Sequence, residues 1–157
     1  MSNLVEENVQ DYPRPPRLEP FEGRIQVTFA GRVIVDTTAG WRVLETHHAP
    51  TYYLPPESVE ADLLPAGGGS LCEWKGRAEY FSIKVGTAIA PQAAWRYARP
   101  TKAFESIAGY LAIYAHAMDA VSVAGVPVTP QPGSFYGGWV TPNLRGTVKG
   151  APGTEGW

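Results

Sequence analysis

The stretch Leu71-Cys72-Glu73-Trp74-Lys75-Gly76-Arg77-Ala78-Glu79-Tyr80-Phe81-Ser82-Ile83 decides the fold. From Arg77 onward it alternates in the manner of a strand with one buried face. Gly76 interrupts that pattern, and glycine inside a strand pattern marks a bulge or a turn. The same stretch holds the chain's single cysteine and a Trp-Lys-Gly step. A strand from Arg77 to Val85 therefore sits directly behind a thiol, an indole and an ammonium group.

Upstream, Pro65-Ala66-Gly67-Gly68-Gly69-Ser70 reads as a loop, and Glu57 to Leu63 as one helical turn with Pro56 at its first position. Thr51 to Leu54 is a strand stopped by Pro55-Pro56, and Trp41-Arg42-Val43-Leu44-Glu45 is another. Ile25, Val27 and Phe29 alternate with Arg24, Gln26 and Thr28; Ala30-Gly31 turns the chain, and Arg32 to Asp36 returns as a hairpin. Residues 1–20 end in Tyr12-Pro13-Arg14-Pro15-Pro16-Arg17-Leu18-Glu19-Pro20. Proline this dense is expected to stay out of a sheet ladder and to form an extended arm.

Downstream, Gly86-Thr87 turns the chain and Ala94 to Ala98 is the next strand. Thr101 is the expected N-cap of the one helix, with Phe104, Ile107 and Ala108 on one face and Gly109 closing it. Tyr110 to Tyr114 reverts to strand, and Val121 to Val128 suggests a last hairpin whose second arm Pro127 confines to an edge. Residues 129–157 are rich in Gly and Pro yet carry Phe135, Tyr136, Trp139 and Trp157. Disordered tails are usually poor in aromatics, so this one is expected to pack on the body or on a second subunit.

A chain of 157 residues, 44% hydrophobic and 18% charged, is globular and of single-domain size. Its net charge of −2, with Lys and Arg scattered, gives no basic stripe for nucleic acid. No apolar run is long enough to span a bilayer, and Met1 to Gln10 is acidic and lacks a signal-peptide core, so a cytoplasmic location is expected. One cysteine excludes an internal disulfide and a multi-cysteine zinc site. Seventeen glycines and fifteen prolines favour many turns over a helical bundle.

Two groups of residues carry a likeness. The first is Arg42, Glu45 and His48-Ala49-Pro50-Thr51-Tyr52-Tyr53-Leu54-Pro55, followed by Ser70-Leu71-Cys72-Glu73-Trp74-Lys75-Gly76-Arg77-Ala78-Glu79-Tyr80. The second is Ala94-Trp95-Arg96-Tyr97 with Ile107-Ala108-Gly109-Tyr110-Leu111-Ala112-Ile113-Tyr114. Over residues 24–125 the chain resembles the family known as domain of unknown function 427. The proline-rich start and the ending around Gly137-Gly138-Trp139 look like a longer bacterial branch of it. The resemblance implies a compact β-rich domain with one short helix, of a kind found in soluble bacterial and fungal proteins. It brings no activity beyond a nucleotidyltransferase-like label.

That label does not fit the residues. Two-metal phosphoryl chemistry needs carboxylates on closely spaced strand positions, as in an Asp-x-Asp pair after a Gly-Ser turn. Gly69-Ser70 is followed by Glu73 alone, and Glu57, Glu60 and Asp62 read as a solvated turn. Thiol chemistry is better supplied: Lys75 beside Cys72 favours a thiolate, and His47 or His48 with Glu45 would supply a base and its orienter. Buried packing is nevertheless the commoner role of a free cysteine. Adjacent histidines point apart and do not easily share one metal, so no metal or cofactor is expected. His116 reads as solvated.

Tyr52 and Tyr53 point to opposite faces of their strand, one toward the core and one toward a cleft. Trp95 and Tyr97 share a face, as do Cys72 and Trp74. Such aromatic walls suit a planar ligand, with Lys75 or Arg77 to meet an anion. The expected fold is α+β, mainly β: compact antiparallel sheets, two of them, around one core, with a single short helix. The expected layout is a proline-rich arm over residues 1–20, a β-rich core over 21–128 and a tail over 129–157. The expected function is binding of a small planar or anionic molecule by Tyr52, Tyr53, Trp74, Lys75, Trp95 and Tyr97, with Cys72 at the wall. Two alternatives stand beside it. One is an interaction module using the arm and tail, with a homodimer as one outcome; the other is a cysteine enzyme built on Cys72, His48 and Glu45.

Overall fold

The computed structural model describes residues 4–72, 74–133, 135–155 and 157. In chain order its main strands are β1 (Arg17–Phe21), β2 (Ile25–Phe29), β3 (Arg32–Thr37), β4 (Gly40–Leu44), β5 (Thr51–Tyr53), β6 (Asp62–Pro65), β7 (Ser70–Cys72), β8 (Gly76–Val85), β9 (Ala88–Arg96), β10 (Leu111–Ile113) and β11 (Ala120–Val123). The fold is mainly β with antiparallel sheets, as its composition and alternation lead one to expect.

The long strand β8 organises the largest sheet. β9 pairs along one side of it, with Tyr80 opposite Trp95, and β10 extends beyond β9. Two short strands share the other side: β6 places Leu63 opposite Ile83, and β7 places Leu71 opposite Arg77. A second sheet runs Val126–Pro127, β11, β2, β3, and a third runs β1, β4, β5. Leu54 and Leu111 exchange backbone hydrogen bonds of 2.8 and 2.9 Å, which tie the third sheet to the first.

There are thus three main sheets where the sequence suggests two. The reason lies in strands that bury both faces. Tyr52, Leu54, Ile83, Leu111 and Ile113 pack with Ile25, Val27, Ile34 and Val123 of the second sheet in one cluster. Tyr53, Ala78, Trp95, Tyr97, Ala112 and Tyr114 belong to another, with Phe104 and Ile107. Alternate residues of the same strands feed two blocks of core, so a single two-layer sandwich cannot contain them.

Three local expectations change. Pro20 lies opposite Trp41 in the ladder of β1 and β4, so the proline-dense arm does feed a sheet. It does so as an edge strand, the position where a residue without N–H is tolerated. The segment after Pro55-Pro56 makes a 3-10 turn only over Pro56–Ser58, and the chain then enters β6. Lys102–Ile107 is the one helical segment longer than three residues among those described, and it is 3-10 with a break at Phe104 (φ −117°, ψ 17°). Phe104 and Ile107 are both buried, as residues three apart in such a turn can be. Ala108 forms its C-cap and is exposed.

The tail is fixed to the body at Trp139, which is 1% exposed. Its Nε1 donates to the Ile113 carbonyl at 3.0 Å, its backbone N–H donates to the Pro50 carbonyl at 2.8 Å, and its ring stacks on Tyr52 at 5.1 Å. Among the described residues no helix is long and apolar enough to cross a membrane.

Candidate functional site

Cys72 and Gly76 are partners across a tight hairpin, which puts Trp74 and Lys75 in its turn. Gly76 has φ +113°, a conformation side chains disfavour, so this residue permits the return into β8. Thr101 clamps the turn from outside. Its Oγ1 donates to the Trp74 carbonyl at 2.6 Å and its N–H to the Lys75 carbonyl at 2.9 Å. The hydroxyl therefore serves the hairpin and not the helical segment that Thr101 precedes, which has no side-chain cap.

The clamp presents Lys75 to a cavity of about 300 Å³. Tyr53, Tyr97, Trp95, Tyr80 and Tyr114 line it from the sheets, and Phe135, Tyr136, Gly137, Gly138 and Lys149 line it from the tail. Most of the sheet residues are deeply set, as is Lys75 of the turn at 9% exposure, whereas Leu71 and Phe135, at 78% and 64%, form the rim. A methyl group on Gly137 would collide with the Trp95 ring, so only glycine lets the tail close over that indole. Ser70 Oγ and Tyr80 Oη share a hydrogen bond of 2.8 Å, and Tyr114 Oη donates to the Phe135 carbonyl at 2.9 Å.

The charges are distributed unevenly. Lys75 Nζ lies 5.8 Å from the centre of the Tyr97 ring, a cation–π contact. Among the described residues no carboxylate lies within ion-pair distance of it. Lys149 Nζ lies 5.6 Å over Tyr136. Burial raises the Tyr53 and Tyr97 phenols well above their ordinary pKa and pushes Tyr114 up to about 12, so all three are neutral donors near pH 7.

Glu45 and His48 also line the cavity. Burial, reinforced by the charges of Lys149 and Lys75, lowers the His48 pKa to about 4, so the ring is neutral at pH 7. Its 3.6 Å approach to Glu45 Oε2 is then a dipolar contact and not an ion pair. Gln131 explains the tautomer. Its Oε1 accepts from the Ala49 N–H at 3.1 Å, which leaves Nε2 to donate to the Lys149 carbonyl at 2.9 Å and toward His48 Nδ1 at 3.4 Å. With Nδ1 accepting, the proton of neutral His48 sits on Nε2.

A family model described as a domain of unknown function, DUF427, matches residues 17–124. The chain belongs to this family. No curated protein matches the chain. The DUF427 segment opens at the first residue of β1 and contains β1 to β11, while the edge strand Val126–Pro127 and every tail residue on the cavity wall lie beyond it.

Within the DUF427 segment, Tyr53, Cys72, Lys75, Trp95 and Tyr97 come together around the cavity, with Glu45 and His48 beside them. Tyr52 does not join them: it is buried on the other face against Phe21 and Trp139. Trp74 packs at the edge of the second core block, and Arg77 is exposed and off the wall. His47 leaves for the opposite direction and packs against the Trp157 ring at 4.4 Å. Cys72 is a free, half-buried thiol. Glu73 lies outside the described residues; Glu57, Glu60 and Asp62 are exposed and away from the cavity. Among the described residues no three His, Cys, Asp or Glu side chains are grouped to hold a metal ion. Sequence reading missed Tyr80, Tyr114, Tyr136 and Lys149; the Gly137-Gly138 pair ahead of Trp139 was the one local sign that the tail approaches another surface closely.

Proposed function

We propose that this DUF427 protein binds a small planar anion, held between the rings of the cavity with its negative group on Lys75. The observation that carries the reading is the company of Lys75. An ammonium withdrawn from water is unfavourable without a counter-charge or hydrogen-bond acceptors, and among the described residues Lys75 has the aromatic face of Tyr97 but no carboxylate within ion-pair distance. An anion entering the cavity would supply what is missing. The neutral phenol of Tyr97, which accepts from Tyr53, adds a hydrogen-bond donor, and a cavity of about 300 Å³ is at the lower end of the range for small-molecule sites.

The test is a set of aromatic carboxylates with their neutral amides, screened by thermal shift and titration calorimetry. Carboxylates should raise the melting temperature and the amides should not. Lys75→Gln should weaken carboxylate binding at least tenfold, about 1.4 kcal/mol. Equal responses to acid and amide, or unchanged affinity in Lys75→Gln, would sink the reading.

A thiol enzyme draws support from Cys72, His48 and Glu45 lining the same cavity. Its weakness is the base: an imidazole whose pKa burial lowers to about 4 takes up a proton poorly near neutral pH. Alkylation of Cys72 at the rate of a model thiol would remove it.

A further inference from the structure

We infer that the binding site has two compartments, and that its ligand is a planar anion carrying an uncharged extension with hydroxyl or amide groups. This rests on the anion reading of the first cavity and names what lies next to it. A second cleft of about 460 Å³ adjoins the first and shares Tyr80, Tyr114 and Phe135 with it. The hydrogen bond from Tyr114 Oη to the Phe135 carbonyl lies in that shared wall, so these two residues divide the compartments without closing either.

The chemistry changes across the wall. The first compartment has Lys75, Lys149 and Glu45. Among the described residues the second has no Lys, Arg, Asp or Glu on its lining; Gly67, Gly68 and Gly69 give it bare backbone, and Tyr114, His116 and Phe135 give it rings. Gln92 is its one side-chain amide, able both to donate and to accept. Rings for stacking plus an amide and open backbone suit a neutral, hydrogen-bonding group and offer nothing to a second charge.

Gln92 is placed there by a local departure from regular sheet. The pairing of β9 with β8 shifts register between Ala90 and Ala94, and Gln92, inside that bulge, has φ +46°. Its N–H donates to Ser82 Oγ at 3.2 Å. A residue other than glycine in this conformation is held at a cost, and bulges re-aim side chains at the edges of binding sites. Here the bulge turns an amide toward the cleft that extends the candidate site.

Three probes separate the compartments by calorimetry: 4-hydroxybenzoate, its 4-O-β-glucoside, and 4-butoxybenzoate, which has similar reach but no hydroxyls. The glucoside should bind at least tenfold tighter than either of the others. Gln92→Gly, which relieves the backbone while deleting the amide, should remove most of that gain and leave 4-hydroxybenzoate within twofold. Equal affinity for 4-hydroxybenzoate and its glucoside overturns the second compartment and spares the first. A butoxy gain matching the glucoside's, or a glucoside gain that survives Gln92→Gly, overturns the polar assignment. Failure of all three probes to bind overturns both readings.

Discussion

Arg42 and Lys75 are both cations drawn out of solvent, and their surroundings could hardly differ more. Arg42 donates to both oxygens of Glu7 at 2.9 and 3.0 Å and to Glu19 at 2.8 Å. Burial alone would lower its pKa; its hydrogen bonds to those carboxylates more than offset this and hold the guanidinium charged. Lys75 has the Tyr97 ring and an open cavity. A cation with a structural task comes with its counter-charges built in, as Arg42 does, whereas Lys75 faces a cavity without a carboxylate of the described residues within ion-pair distance. On the proposed reading of Lys75, the contrast separates a stabilising charge from a recognising one.

The largest effect expected from pressing on that contrast is at Arg42. Arg42→Met leaves Glu7 and Glu19 close together without their cation, and removing one partner from a buried ionic group typically costs about 3–5 kcal/mol. Urea unfolding should show that loss, and a change below about 1 kcal/mol would mean that the network is not structural. Next comes His48. Its folded pKa, about 4, lies below the ordinary 6.5, so the unfolded chain takes up the proton first. Stability is therefore complete above about pH 6.5 and is lost as pH falls toward 4, by on the order of 2–3 kcal/mol. His48→Gln should flatten that part of the stability–pH curve; an identical slope in the variant would contradict the buried neutral ring.

A smaller change is expected at the wall between compartments. Tyr114→Phe removes the bond to the Phe135 carbonyl and should cost about 0.5–1.5 kcal/mol, with faster amide exchange in the tail near Phe135. Unaltered exchange there would show that this bond does not hold the tail, which Trp139 and Gln131 also tie to the body. Smallest of all is Lys75→Met, which should leave stability within about 0.5 kcal/mol of the parent, or raise it, because no ion pair is broken. A loss as large as that of Arg42→Met would erase the distinction between the two cations.

Much of this could be read from the chain because alternation is a local signal. Ile25, Val27 and Phe29 on one strand, and Ala30-Gly31 at its turn, specify the hairpin of β2 and β3 without reference to anything distant. The stretch around Cys72 gave the thiol and the ammonium their common neighbourhood for the same reason. Trp74 escaped it because the period of two ends at Cys72, and a turn residue has no face assigned by alternation. β1 was hidden by Pro20, whose missing N–H matters only if the strand is central, and sheet order is not a local property. The tail walls were the least accessible: Tyr136 and Lys149 lie in segments with no period at all, positioned by single contacts such as Gly137 against Trp95 and Gln131 across Ala49 and Lys149.

The match to DUF427 stops at Ala124, eleven positions short of Phe135 and its neighbours. A recombinant version trimmed to those limits would keep the basin floor and forfeit its roof. By the same geometry, two chains with identical sheets and unlike endings would offer different doorways to one chamber without altering a strand.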